Sequence, residues 1–252
     1  MASLKLVSVN IEFSKHLDRV ERFLAQQRAE VVCMQELMEH DIPALEQTLD
    51  MPCYFTGTTR RSFEKGPGIQ GVGIFSRFPA TYSSYFYSGD GLPDVMFDDA
   101  SAQTKHVTES HALSICELEK DSVIFKICTT HFTWTPDGST SDEQRRDLKA
   151  LLNVLAPLDE FVLCGDFNAP RIHEGKPGEV FSKLSEKYQD NIPAEYETSI
   201  DINLHRAGKE RPQELADKMV DGLFTTPGYT TSEVALHTGV SDHCAISARI
   251  AR

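Results

Sequence analysis

Residues 161–170 read Phe-Val-Leu-Cys-Gly-Asp-Phe-Asn-Ala-Pro, and this stretch decides how the fold of the chain is interpreted. Its apolar first part predicts a buried strand, and Pro170 prevents that strand from continuing. If strand geometry persists to the end, the carboxylate of Asp166 and the amide of Asn168 point to the same side. The carboxylate can take a proton or hold a cation, and the amide can orient water. The alternative is an ordinary turn, because Asp and Asn are common turn residues.

Four other apolar runs are bounded by polar residues of the same kind: Asn10, Gln35-Glu36, His131 and Asp242-His243. Carboxylate and amide oxygens suit a hard divalent cation, and an acidic group can position and deprotonate water. Imidazole or a metal can stabilise charge on phosphoryl oxygens. The five groups together therefore indicate hydrolysis of a phosphate ester.

With these motifs in this order, the chain resembles the endonuclease/exonuclease/phosphatase superfamily over nearly its whole length. That superfamily includes deoxyribonucleases, deadenylases, abasic-site endonucleases, sphingomyelinases and inositol-polyphosphate phosphatases. The matching positions are Asn10, Glu36, His131, Asp166, Asn168, Asp221, Asp242 and His243. Glu109 resembles the glutamate that partners the central histidine in deoxyribonucleases. The chain departs from the pattern at Gly222, where many members carry a bulky residue.

The resemblance implies an α/β fold of the α+β type, a four-layer sandwich in which helices flank two packed mixed β-sheets. It also implies roles for the matching residues. Glu36 would bind Mg²⁺, or Mn²⁺ in its place, with Asn10 and Asp242 as further ligands. Asp166 would activate the attacking water, and Asn168 would hold the water or the phosphate. The other expected catalytic residues are His131, His243, Asp221, Asp242 and Glu109, with Asp221 orienting His243.

Periodicity alone predicts helices over 16–28, 40–49, 141–155 and 177–186. It predicts strands over 4–10, 31–35, 71–76, 81–87, 111–118, 122–129, 161–165, 220–225, 233–237 and 244–250. Ser141 is expected to cap the third helix. Long stretches of adjacent strands between helices favour a mixed sheet over a simple βαβ repeat.

Three segments lack both periodicities and are expected to be loops: 57–70, 88–106 and 171–176. Loops in compact domains often carry function. Arg60, Arg61 and Lys65 in the first segment and Arg171 in the third are therefore candidates for binding substrate phosphate. The alternative is that these charged side chains only contact solvent.

The 252 residues have ordinary globular composition, with 40% hydrophobic residues. Because motifs between residues 10 and 243 must meet at one site, we expect a single catalytic domain over 1–252. No run approaches the ~18 apolar residues of a membrane span, and the first residues lack the pattern of a signal peptide. We therefore expect a cytoplasmic protein.

The predicted function is Mg²⁺-dependent hydrolysis of a phosphodiester, as in a nuclease, by in-line attack of an activated water. Trp134-Thr135-Pro136 after His131 is most similar to the deoxyribonuclease and deadenylase branches. The substrate would be a phosphate ester such as a nucleic acid or nucleotide, and no obligate protein partner is evident.

Two alternatives stay open. A phosphomonoesterase or a lipid or small-molecule phosphodiesterase is favoured by the net charge of −13, which argues against broad electrostatic capture of nucleic acid. The second alternative is a non-catalytic binding protein on the same fold. The presence of Glu36, Asp166, Asn168 and His243 argues against that alternative.

Overall fold

The structure is a computed structural model that describes residues 1–63, 66–136 and 138–252. Lys65, one of the candidate substrate contacts, lies outside the described residues. The strands are β1 Ser3–Asn10, β2 Val31–Met38, β3 Cys53–Phe63, β4 Gly66–Ser76, β5 Ala80–Ser88, β6 His111–Lys120, β7 Val123–His131, β8 Val162–Asp166, β9 Ile172–His173, β10 Lys176–Pro177, β11 Gln189–Asp190, β12 Asp221–Thr225, β13 Thr230–His237 and β14 Ala245–Ala251. The helices are α1 Leu17–Gln27, α2 Ile42–Leu49, α3 Ala102–Thr108, α4 Asp142–Leu155, α5 Glu179–Ser185 and α6 Pro212–Leu215, with 3₁₀ turns at Glu39–Asp41 and Ala156–Leu158.

Two six-stranded sheets form the centre of the molecule, in the orders β13-β14-β1-β2-β4-β3 and β11-β12-β8-β7-β6-β5. In the first sheet β1 and β2 are parallel, and in the second sheet β7 and β8 are parallel. The neighbouring strands in both sheets are otherwise antiparallel. Both sheets are therefore mixed, and each has one parallel pair near its middle.

Apolar side chains from the facing sides of the sheets form the central core, including Leu6 and Val31 from the first sheet and Phe125 and Val162 from the second. Helices α1 and α2 cover the outer face of the first sheet. Helices α4 and α5 cover the outer face of the second sheet. Burial of apolar surface on both faces of each sheet produces four layers. The predicted fold class is confirmed.

Helix α4 shows how local sequence positions an outer layer. The hydroxyl of Ser141 accepts a hydrogen bond from the backbone N–H of Gln144 at 3.1 Å, as predicted for its N-cap. Leu148, Leu151 and Leu155 follow at helical spacing and are buried against the sheet. Among the described residues, no helix is long and apolar enough to cross a membrane.

The prediction of a loop over 57–70 is wrong for its described residues, because 57–63 and 66–70 belong to the antiparallel strands β3 and β4. Backbone pairing between the strands stabilises the segment despite its many glycines. At Gly71 a Cβ atom would lie only 2.0 Å from the carbonyl oxygen of Thr56, so glycine permits the close approach. The other two predicted loops contain α3, which Ser101 caps, and the short hairpin of β9 and β10.

Candidate active site

The carboxyl ends of the two parallel strand pairs lie at the same edge of the sandwich. Asn10 pairs with Gln35 in the first sheet, and His131 pairs with Asp166 in the second. On the other side of Asp166 lies Asp221, at the start of β12. The sheet topology thus gathers polar residues that are far apart in the sequence.

Asp166 is buried at the centre of this group. Its Oδ2 accepts a hydrogen bond from Asn10 Nδ2 at 2.9 Å, and its Oδ1 accepts one from the backbone N–H of Asn168 at 2.7 Å. The Nε2 atoms of His131 and His243 lie 3.7 and 3.8 Å from Oδ2. Burial raises the pKa of Asp166 to about 6, although the neighbouring His243 acts in the opposite direction. A carboxylate with this pKa can take a proton near neutral pH.

His243 and Asp221 form a buried pair. The Nδ1 of His243 lies 2.7 Å from Asp221 Oδ2. Burial disfavours the charged imidazole, but Asp221 and Asp166 hold the pKa of His243 well above its usual value. The raised pKa favours the protonated ring, whose Nε2 lies 3.8 Å from Asp166 Oδ2.

His131 has the opposite protonation state. Burial lowers its pKa to about 3, with His111 adding to the decrease, so that this imidazole is neutral. Its Nε2 lies 3.7 Å from Glu36 Oε1 as well as 3.7 Å from Asp166 Oδ2. The backbone carbonyl of His131 accepts a hydrogen bond from His111 Nδ1 at 2.9 Å, which helps to fix its position.

Glu36 lies in an irregular part of β2, where the pairing with β4 shifts between Met34 and Leu37. Its φ of +55° is unusual for a residue other than glycine, and such strain is often found at functional sites. Gln35 instead bridges the sheets by donating to Thr129 Oγ1 at 2.9 Å. Burial raises the pKa of Glu36 to about 8, and the nearby Asp242 adds to the rise.

These carboxylates fit a divalent cation. Ionised Glu36 is disfavoured beside Asp242 and Asp166, and a cation would compensate for their converging charge. Two groups have ligand atoms within 4.8 Å of one another: Glu12, His16 and Asp242 in one group, and Asp166, Asp221 and His243 in the other. The carboxylate oxygens of Glu36, Asp242 and Glu12 suit Mg²⁺ or Mn²⁺, whereas the protonated His243 pairs with Asp221 and is not available as a ligand. Both polar atoms of the Asn10 amide are already engaged, with Asp166 and with the backbone of Glu12.

A cavity of about 270 Å³ opens over this group, and Glu36, His131, Asp166, Asn168, Asp242 and His243 line it. Sequence reasoning missed further lining residues: Glu12, Lys105, His111, Trp134, His205 and Arg206. Glu12 and His111 stand two positions after Asn10 and Glu109, and Trp134 stands three positions after His131, so these three lie near recognised motifs. A larger concavity of about 620 Å³ lies elsewhere, along 185–191 and 225–231, and none of the candidate site residues lines it.

Of the three predicted substrate contacts that the structure describes, Arg61 lines the cavity, and Arg60 and Arg171 do not. Arg60 Nε donates to the carbonyl oxygen of Pro93 at 2.9 Å. Arg171 donates to the carbonyls of Ile192, at 3.1 Å, and Tyr196. The structure thus gives Arg60 and Arg171 places in which they hold backbone segments together.

Glu109 lines the cavity but is not hydrogen-bonded to His131 among the described residues. Its carboxylate pairs with Arg61 Nη2 at 3.1 Å and with Lys105 Nζ at 3.6 Å. Burial alone would raise the pKa of Glu109, but His111, Lys105 and Arg61 together lower it below the usual value. The expected partnership of Glu109 with the central histidine is therefore replaced by pairing with two cations.

The departure from the motif at Gly222 has a steric reason. A Cβ atom at this position would lie 2.8 Å from the ring of Phe167 and 2.8 Å from the ring of Phe224. These two rings pack edge to face with their centroids 5.5 Å apart. The phenylalanine inside the Gly-Asp-Phe-Asn motif thus occupies the space above residue 222.

The fold is similar to that of several solved structures. An endonuclease/exonuclease/phosphatase from Beutenbergia cavernae superimposes with a TM-score of 0.72 at 17% identity, covering 99% of this chain and 72% of that chain. A mannosyl-6-phosphatase from Bacteroides thetaiotaomicron gives 0.66 at 13% identity, covering 99% and 100% of the two chains. The human Nocturnin catalytic domain with bound sulfate gives 0.66 at 16% identity, covering 99% and 93%.

A comparison with curated protein sequences finds no match. The model of the Endonuclease/Exonuclease/phosphatase family matches residues 7–243, which include every strand-end residue described above. Together with the two mixed sheets and the paired carboxylates and histidines, this match shows that the chain belongs to the Endonuclease/Exonuclease/phosphatase family and is a phosphoric ester hydrolase.

Proposed function

We propose that the protein is a Mg²⁺-dependent phosphodiester hydrolase that acts by in-line attack of water. One observation carries the proposal: Asp166, with a pKa raised to about 6, lies between a neutral His131 and a protonated His243. Groups whose environments push their pKa values apart are suited to accept and donate protons in one reaction. Because residues from Asn10 to His243 contribute, we propose that 1–252 act as one catalytic domain.

Each side chain has a role that follows from its partners. Asp166, fixed by Asn10 and by the Asn168 backbone, takes the proton of the attacking water. The amide nitrogen of Asn168 donates to the Phe132 carbonyl at 2.7 Å, which leaves the amide oxygen to orient that water. His243, held by Asp221, donates to a phosphoryl oxygen, where negative charge increases in the transition state.

Glu36 and Asp242 would hold the metal ion, with Asn10 as a further candidate ligand. When bound, Mg²⁺ supplies positive charge that stabilises the phosphoryl oxygens during the displacement. The Nε2 of His131 lies 3.7 Å from both Glu36 and Asp166. A phosphate held between the metal and the attacking water would therefore lie within reach of His131, which would donate to one of its oxygens.

The charges around the cavity favour a diester over a monoester. The lining acids are Glu12, Glu36, Asp99, Glu109, Asp166 and Asp242, and the lining cations are Arg61, Lys105, Arg206 and the protonated His243. A divalent cation would bring this set close to neutrality. A diester carries one negative charge at neutral pH and a monoester carries nearly two, so the diester leaves the smaller excess of negative charge in a site that is itself close to neutral.

Hydrolysis of bis(4-nitrophenyl) phosphate tests the proposal against 4-nitrophenyl phosphate as the monoester. We expect turnover of the diester with Mg²⁺, loss of turnover in EDTA, and recovery on adding Mg²⁺ or Mn²⁺. Glu36→Gln should weaken the response to Mg²⁺, whereas Glu119→Gln, an exposed control on β6, should behave as wild type. Full activity in chelator would contradict the role of the metal.

A phosphomonoesterase acting on a small phosphorylated compound is the second candidate function. The small cavity of about 270 Å³ and the net charge of −13 favour a small substrate over a polymer. A kcat/KM for the monoester above that for the diester would support this candidate instead.

A further inference from the structure

One side of the cavity carries three aromatic rings, those of Phe13, Phe97 and Trp134. The guanidinium carbon of Arg61 lies 3.6 Å from the ring centroid of Phe97 and 5.7 Å from that of Phe13. The Nζ of Lys105 lies 4.8 Å from the ring centroid of Trp134. We call these three rings and two cations the aromatic wall. The cations lie over the rings at distances typical of cation–π contacts.

The aromatic wall is continuous and begins beside the catalytic residues. Glu109 connects its two halves, because its carboxylate contacts Arg61 at 3.1 Å and Lys105 at 3.6 Å. The same oxygen that contacts Lys105, Glu109 Oε2, lies 3.9 Å from His111 Nε2, and His111 Nδ1 donates to the backbone carbonyl of His131. A substrate whose phosphate lies at His131 therefore has its next group against these rings.

The wall is held rigidly. Trp134 is 47% exposed, whereas its neighbours Thr133 and Thr135 are buried. The hydroxyl of Thr133 donates to Asp147 Oδ2 at 2.5 Å, and Gln144 Nε2 donates to the Thr133 carbonyl at 2.6 Å, so α4 anchors this segment. On the other half, the backbone N–H of Phe97 donates to the Arg60 carbonyl at 2.8 Å. Rigid, exposed aromatic side chains are suited to binding another ring.

The ligand class follows from these features. Every nucleobase presents a planar face that stacks on aromatic side chains, and Arg61 and Lys105 add attraction for a neighbouring anionic group. A hexose phosphate, an inositol and a lipid chain have no aromatic ring and can offer these rings only C–H groups, whereas a base offers its whole π-face. A cavity of about 270 Å³ is at the lower end of small-ligand pockets, and a net charge of −13 disfavours a polyanion.

We propose that the aromatic wall is a nucleobase subsite, so that the substrate is a phosphodiester of a single nucleoside whose base stacks on Trp134. This assignment rests on the proposed diesterase function and narrows it to one substrate class. Trp134, Arg61 and Lys105 thereby become specificity-determining residues.

The chain's single tryptophan provides a direct binding test. Trp134 fluorescence, excited in the presence of Mg²⁺, is titrated with adenosine 5′-monophosphate and separately with ribose 5-phosphate. The two probes share the sugar and phosphate and differ only in the base. We expect saturable quenching by the nucleotide and none by ribose 5-phosphate. Equal quenching by both probes, or no saturable quenching by the nucleotide, would overturn the subsite.

Kinetics provide the second test, with thymidine 5′-(4-nitrophenyl phosphate) and methyl 4-nitrophenyl phosphate as diesters with and without a base. The preference for the base is measured as kcat/KM for the thymidine diester divided by kcat/KM for the methyl diester. Trp134→Leu should lower this ratio about 10-fold, as expected for the loss of one base–aromatic stack. Trp134→Phe, which keeps a ring, should preserve most of the ratio. Ile124→Ala serves as the control. Ile124 is also 47% exposed, but it lies near the start of β7, whereas Trp134 follows the end of that strand.

The two proposals fail in different ways. A ratio that is the same in Trp134→Leu and wild type would overturn the nucleobase subsite while leaving the diesterase intact. A wild-type protein that hydrolyses neither diester would contradict the diesterase activity itself, whereas the fluorescence titration would still report on the base.

Discussion

Asp166 combines more constraints than any other single side chain described at the site. Asn10 and the Asn168 backbone fix both carboxylate oxygens, and two histidines face one of them. A carboxylate this firmly placed can orient a water molecule without having to rearrange during the reaction.

Replacing Asp166 with Asn keeps the shape of the side chain but removes its ability to take a proton. We expect turnover to fall by at least ~10²-fold, the usual contribution of a positioned acid–base group, while KM changes little. Steady-state kinetics at saturating Mg²⁺ measure both values, and Asp217→Asn, at an exposed position, is the matched control. The effect should be far from additive with His243→Ala, since both residues act on one transition state. Near-wild-type turnover of Asp166→Asn would show that Asp166 is not the general base and has only a structural role in the turn.

Glu36 makes the metal-free protein sensitive to pH. Burial raises its pKa from 4.5 to about 8. Between these values the folded state retains a proton that the unfolded state has lost, so the free energy of unfolding decreases as the pH rises. In EDTA we therefore expect the melting temperature to decrease between about pH 6.5 and pH 8. Adding Mg²⁺ should raise the melting temperature by more at about pH 8 than at about pH 6.5.

Thermal melts of Glu36→Gln isolate this contribution, because other groups at the site also titrate. The variant should show a smaller decrease than wild type over the same pH range, and Glu119→Gln should match wild type. Identical pH profiles for wild type and Glu36→Gln would mean that the carboxyl group is not perturbed by burial.

The sequence assigned Asp166, His131, Glu36 and His243 to one site because each adjoins an apolar run and matches a family motif. The structure brings these four side chains together, with His131 close to Glu36 and Asp166, and His243 close to Asp166. Lys105 and Trp134 were not predicted as substrate contacts, because they meet only in the folded protein, where Lys105 Nζ lies 4.8 Å from the ring centroid of Trp134. Arg171 stands close to Asn168 in sequence, yet its guanidinium turns to the backbone of 192 and 196.

At the scale of elements, the pairing of β7 with β8 depends on Gly165. This residue has a φ of +141°, and it lies opposite Thr130 in the register. A Cβ atom would lie 2.1 Å from the Thr130 carbonyl oxygen. The glycine of the Gly-Asp-Phe-Asn motif therefore lets β8 approach β7 closely enough to place Asp166 beside His131.

Gly165→Ala should lower the free energy of unfolding by about 2–5 kcal/mol, because backbone strain and overpacking act together. Gly175→Ala is the matched control, since Gly175 also has a positive φ, of +73°, but has no atom within 4 Å of the added methyl. We expect that variant to lose only about 1–2 kcal/mol, from strain alone. Urea denaturation measures both losses, and equal losses would show that the contact with Thr130 yields easily.

Elements with strong local patterns were predicted well. Ser141 and the leucine stripe of α4 were recognised because capping and helical spacing are local properties. The extension of β3 and β4 through residues 57–63 and 66–70 was missed, because a glycine-rich segment becomes a strand only through pairing with its neighbour. The shift in pairing at Glu36 was missed for the same reason, because a bulge is set by the neighbouring strand β4 and leaves no local pattern in the sequence.

The two sheets face each other, and each has a pair of parallel strands near its middle. The parallel pair β1–β2 delivers Asn10 and Glu36, and the parallel pair β7–β8 delivers His131 and Asp166. Antiparallel neighbours then contribute Asp221 and, just before β14, Asp242 and His243. The site therefore depends on the packing of the sheets against each other, and not on any one loop.

The position of β14 between β13 and β1 has a consequence for the biosynthesis of the protein. Until β14 has left the ribosome, β1 presents an open edge and His243 has no fixed position. Every strand of the second sheet precedes β14 in the chain, and the site is complete only when β14 is inserted beside β1. Translation thus delays the onset of catalysis, and a prematurely terminated product would be inert and, through its exposed strand edge, prone to associate with other chains.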